Sequence, residues 1–116
     1  MNTKTTAIIG HQSVTAIKAR ARVNRFLFSQ VGTQFSAGEA ELDADQDLWR
    51  MPILLVTPGF VAGQVGEAAV SLHTLEIIAH TEVEKMKKAA VKLSKEYDSE
   101  IKAAFLRSRR LMSGHI

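Results

Sequence analysis

The chain has no cysteine. That excludes a disulfide scaffold, a thiol nucleophile and a thiolate metal site. Proline and glycine are scarce, two and seven residues out of 116, while 46% of the residues are hydrophobic. Such a composition fits neither a linker nor a disordered segment, and the length suits one domain. No apolar run approaches the ~18–20 residues that span a bilayer, and Ala7-Ile8-Ile9 is too short for a signal-peptide core. The expectation is one cytoplasmic domain over 1–116, with 1–12 a flexible arm, 109–116 a frayed tail and no membrane contact.

Charge of one sign is missing by segment. Residues 1–32 hold no acid but five bases, Lys4, Lys18, Arg20, Arg22 and Arg25. Residues 33–50 hold five acids, Glu39, Glu41, Asp43, Asp45 and Asp47, against Arg50 alone. Residues 51–81 carry only Glu67 and Glu76, and 82–116 is mixed and ends on Arg107, Arg109 and Arg110. The net charge of +3 is therefore the remainder of opposed blocks. Such blocks either neutralise each other within the molecule or meet a partner.

The periodicity predicts an α+β fold: an N-terminal helix, a three- to four-stranded antiparallel meander and a long C-terminal amphipathic helix, with the helices on one sheet face. From Ser13, a suitable N-cap, to Gly32, a suitable C′ residue, the pattern is helical. Ile17, Ala21, Asn24, Phe28 and Val31 share one face, with Lys18, Arg22 and Arg25 in a stripe beside it. Ala16, Ala19, Val23 and Phe26 form a second apolar strip. Two strips imply a helix held between the sheet and another element or subunit, and the second strip is assigned to self-association.

Strands are expected at 35–42, around 48–56, from Gly63 to Leu72 and near 76–80. Pro52 cannot donate to a ladder and so marks an edge, a bulge or a strand start. Pro58-Gly59 has the order of a type II turn. Thr81-Glu82-Val83-Glu84 reads as a capping box. It opens a helix from 82 to about 108, with Val83, Met86, Ala90, Leu93, Tyr97, Ile101, Ala104 and Phe105 on one face. At 1.5 Å per residue that helix is ~40 Å long, against ~30 Å for a nine-residue strand, so its end should overhang the sheet.

No motif carries catalysis. Asp43, Asp45 and Asp47 open like a calcium loop, but Leu48 stands where that loop needs Gly and Leu54 where it needs Glu, so they read as a solvated turn. His11, His73, His80 and His115 share no ligand spacing. There is no nucleophile elbow, and Gly59, Gly63 and Gly66 lack the lysine and helix start of a phosphate loop. Gly59 and Gly63 read as turn residues, Gly66 as a bulge or a close-packing position. Glu67 is expected to face solvent. No catalytic residue, metal site or cofactor is assigned.

Trp49-Arg-Met-Pro-Ile53, Gly63-Gln-Val-Gly-Glu67 and Val70-Ser-Leu-His-Thr-Leu-Glu-Ile-Ile78 together resemble the sheet of small PepSY-like, half-cystatin domains. In those domains Asp is usual at the place of Ser71, and a turn Gly at the place of Leu75. The strand motifs are also similar to small bacterial proteins of toxin–antitoxin-type gene pairs. The resemblance covers about a third of the chain and implies a helix packed on a curved antiparallel sheet, used for binding or inhibition. It supplies no catalytic residue.

The functional expectation is a non-enzymatic interaction protein, a homodimer that also binds a protein partner in an antitoxin-like or inhibitor-like role. Self-association is assigned to Ala19, Val23, Phe26 and Phe105. The alternative is a small-molecule module with a cleft between sheet and helix, lined by Phe28, Trp49, Met51 and Tyr97. A third reading is nucleic-acid binding through Lys18, Arg22, Arg25, Arg107, Arg109 and Arg110.

Overall fold

The computed structural model describes the backbone of residues 13–113 and the side chains of 13–107. The expected arm at 1–12 and the last residues of the expected tail, 114–116, lie outside the described residues, as do His11 and His115. The chain order is helix α1 (Val14–Gln30), strands β1 (Phe35–Ala37), β2 (Glu41–Asp43), β3 (Leu48–Thr57), β4 (Phe60–Ser71) and β5 (Ile77–His80), then helices α2 (Val83–Glu96) and α3 (Asp98–Ser113). The expected α+β class is what the structure has. Its antiparallel sheet runs β1-β3-β4-β5, with β2 alongside β1 on the same flank of β3.

α1 starts where Ser13 Oγ accepts from the Ala16 N–H, and it stops where the N–H groups of Val31 and Gly32 both donate to the Leu27 carbonyl. Its buried row is Ala16, Ala19, Val23 and Leu27. This reverses the expected use of the two strips. Ala19 and Val23, assigned to a partner, have no exposed surface, and Phe26 is half-buried against the core. Ile17 and Phe28, on the other strip, are 55% and 70% exposed. The physical reason is approach distance: two alanines let the helix axis settle close to the sheet, and Val23 and Leu27 fill the space that remains.

β3 and β4 form the central hairpin. Gly59 closes it with φ 95°, the left-handed value that the third position of a type II turn requires. β4 carries an extra residue opposite Ile53–Leu54 and another opposite Leu55–Val56. These two bulges leave Val65 and Ala62 buried and curl the sheet around its helices. Pro52 sits in mid-strand. Its carbonyl accepts from the Gly38 N–H, so its nitrogen, which points to the same side in an antiparallel strand, faces the gap between β1 and β2 where no ladder bond is lost.

The edge at β1 is closed by α1. Ala37 pairs with Ile53 on one side, and its outward N–H donates to Asn24 Oδ1 at 2.7 Å while its carbonyl accepts from Arg20 at 3.3 Å. A row of free backbone groups on that edge is thus shielded.

At the β4–β5 turn, Ser71 Oγ accepts from the N–H groups of His73 and Thr74, and Leu75 has φ 60°. The serine does what an aspartate would do there, and the leucine holds a conformation that glycine adopts without cost.

The expected capping box does not form. Glu82 is the N-cap and makes no side-chain cap bond, while Thr81 Oγ1 accepts from the Glu67 N–H at 2.9 Å and ties β4 to the start of α2. Nor is the C-terminal helix continuous: it breaks at Tyr97, φ −113° and ψ 27°. Asp98 and Glu100 then favour a new N-terminus. The bend lets Ala104, 3% exposed, close over the hairpin turn at Gly59 instead of overhanging it. The backbone stays helical to Ser113, through part of the stretch expected to fray.

α1 and Met86 of α2 bury into one apolar core with Trp49, Met51, Ile53, Leu55, Ala68 and Val70. No helix among the described residues is long and apolar enough to cross a membrane.

Candidate functional site

The expected ligand cleft is not assembled. Trp49 and Met51 are 8% and 2% exposed and belong to the packed core. Phe28 stands on the outer face of α1, and Tyr97 lies at the α2–α3 break with its ring edge toward Phe60, 6.4 Å away. Strand alternation put Trp49 and Met51 on one face correctly. The side of α1 that meets that face was the error, and it carried Phe28 away.

The titratable residues are dispersed. Arg50 Nε donates to Asp43 Oδ2 at 2.8 Å, and this hydrogen bond holds the Asp43 carboxyl below the ordinary carboxylate range. Asp47 lies 3.5 Å from His73, while His80 packs on Phe26 with ring centroids 4.6 Å apart. Asp43 and Asp47 thus turn to different neighbours, and among the described residues no three His, Asp or Glu side chains converge as metal ligands. The Glu67 side chain is exposed, as expected, on the open sheet face near Arg50.

Lys18, Arg22 and Arg25 are exposed on α1 beside Val14, Ile17, Ala21 and Phe28. Among the described residues the ion pairs are Arg50–Asp43 and Lys102–Asp98, and Asp47 faces the His73 ring, so none joins the α1 bases to the acids at 39–47. Arg107 is exposed on α3, while the side chains of Arg109 and Arg110 lie outside the described residues.

The concave feature that does form lies elsewhere. Two adjoining depressions of about 590 and 670 Å³ share Gln34, Thr57 and Ile101. The end of β3 and its turn supply Leu55, Val56, Thr57 and Pro58; α2 supplies Val91 and Lys95, and α3 supplies Lys102, Phe105 and Leu106. Val91, Phe105 and Leu106 are 55%, 50% and 55% exposed, so the groove is apolar and open. Phe105, one of the residues expected at an interface, lines it. Val91, Leu106, Val56 and Pro58 were not anticipated, because the groove exists only once the helix bends at Tyr97; the Asp98-Ser99-Glu100 start signal was the available clue.

No protein family, curated protein or solved structure matches the chain. Its chemistry is therefore read from these surfaces. The groove's lining is mostly branched and aromatic carbon, with Lys95 and the paired Lys102 and Asp98 as its charges, which suits an apolar segment with little negative charge.

Proposed function

We propose that the chain is a non-enzymatic, cytoplasmic interaction protein, which self-associates and holds an amphipathic, acid-flanked helix of a protein partner in the α2–α3 groove. An antitoxin-like or inhibitor-like role, binding a partner to restrain it, fits that reading, and so does the half-cystatin resemblance of the strands. The observation that carries it is the state of α3. After Ala104 is buried, Phe105 and Leu106 stay half exposed beside Val56 and Pro58, and apolar surface returned to a partner is worth ~25 cal/mol per Å². Lys102 is paired with Asp98 at 3.3 Å, so Lys95 is the groove cation that favours an acid on the occupant.

The test places a photo-cross-linking amino acid at Leu106 or, as a control, at Glu76 in cells that express the chain. A discrete adduct with one other protein from position 106, absent from position 76 and abolished by Ile101→Asp, supports the reading. Adducts of equal pattern from both positions contradict it.

A further inference from the structure

We infer that the self-association proposed above, on which this inference rests, uses α1: the outer face of α1 in one copy docks on the acidic β2–β3 segment of a second copy. The two surfaces match in both charge and apolar content. The outer face of α1 carries Lys18, Arg22 and Arg25 next to Ile17 and Phe28, and the helix contains no acid. The acidic segment carries Glu39, Glu41 and Asp45 outside any ion pair among the described residues, with Leu42, 55% exposed, between Glu41 and Asp43. Each surface is a charged row flanking an apolar contact, with opposite sign.

Within one molecule the surfaces cannot meet, because the basic row points away from the sheet that its buried row Ala16-Ala19-Val23-Leu27 covers. They do border the same sheet edge. Asn24 and Arg20 bond to Ala37 at the end of β1, and Glu41 opens β2 four residues later on the same flank of β3. A two-fold axis beside that edge lays each α1 against the partner copy's acidic turn, so the contact is isologous and forms twice. A 17-residue helix is about 26 Å long and its outer face about 10 Å wide. Four such patches bury about 1,000 Å², the low end for a specific dimer. The association is accordingly reversible, and salt weakens it through charge screening.

A charge-swap experiment decides the matter. One variant carries Lys18→Glu, Arg22→Glu and Arg25→Glu; the other carries Glu39→Lys, Glu41→Lys and Asp45→Lys. All six side chains are exposed, and Asp43 is kept for its bond to Arg50. Circular dichroism verifies that each variant folds. Sedimentation equilibrium should give the wild type a mass that rises with concentration toward twice 12.8 kDa. Each variant alone should dissociate at least about tenfold more readily. An equimolar mixture should regain the dimer, since both of its contacts pair opposite charges again. A wild-type dimer that neither reversal weakens, or a mixture that stays monomeric, overturns the α1 contact while leaving self-association standing. A wild type that is monomeric throughout overturns both. If the α1 reversal changes only retention on heparin and not the mass, the basic row serves a polyanion and the inference fails.

Discussion

Asn24 shows how one side chain can decide the fate of a sheet edge. Its Oδ1 is the acceptor for the outward N–H of Ala37, and Asn24→Ala would leave that donor unpaired beside the core. The expected cost is about 1–2 kcal/mol, read as a lower urea midpoint with an unchanged m-value. Gly66 lies under the start of α2. A methyl group there would stand 2.8 Å from Thr81 Cβ and 3.0 Å from Met86 Cγ. Gly66→Ala should therefore destabilise by about 1–3 kcal/mol through overpacking, measured by the same titration. Asp43 gives a pH signature. Its carboxyl is held below the ordinary value of 3.8 by the Arg50 hydrogen bond, so the stabilisation is present above that value and lost as the pH falls through the lowered one. Thermal melts of wild type and Arg50→Met should differ at neutral pH and converge in strong acid. Ser71 and Leu75 were legible as the two unusual residues of the last hairpin. Their roles, a hydroxyl accepting two N–H groups and a left-handed leucine, needed the backbone to be seen.

The helices separate what pattern can reveal from what it cannot. Ser13 as N-cap, the Pro58-Gly59 turn and the order of helix, meander and C-terminal helix are local chemistry, and they were readable. Which strip of α1 meets the sheet is not local. Ile17 and Phe28 are larger than Ala16 and Ala19, so hydrophobicity alone favours burying them, whereas close approach of helix to sheet favours the alanines. The break at Tyr97 was missed for a similar reason. The apolar face runs unbroken from Val83 to Phe105, and only the hairpin turn below it makes a bend favourable. Gly59 is where the two elements touch: its positive φ disfavours a side chain, and a Cβ there would press on Ala104 Cβ at 3.3 Å. Gly59→Val should loosen the docking of α3. Amide exchange over residues 98–107 should rise well above that of wild type while α1 keeps its protection.

The charge of the molecule lies in blocks along the chain. The sequence posed the choice between internal neutralisation and a partner. No ion pair among the described residues joins the α1 bases to the acids of 39–47, and the proposed α1 contact uses both. Apolar surface is divided in the same way: the core takes one strip of α1 and the inner side of α2, while the outer strip and the α3 groove are left to solvent. Both features support a protein whose work is done by its surfaces. The most direct measurement is the mass of the untouched wild-type chain by sedimentation equilibrium over a wide concentration range. The expected result is a reversible rise from 12.8 kDa toward twice that mass, reduced at high salt. A mass fixed at 12.8 kDa up to the highest concentration, at low salt, would contradict it.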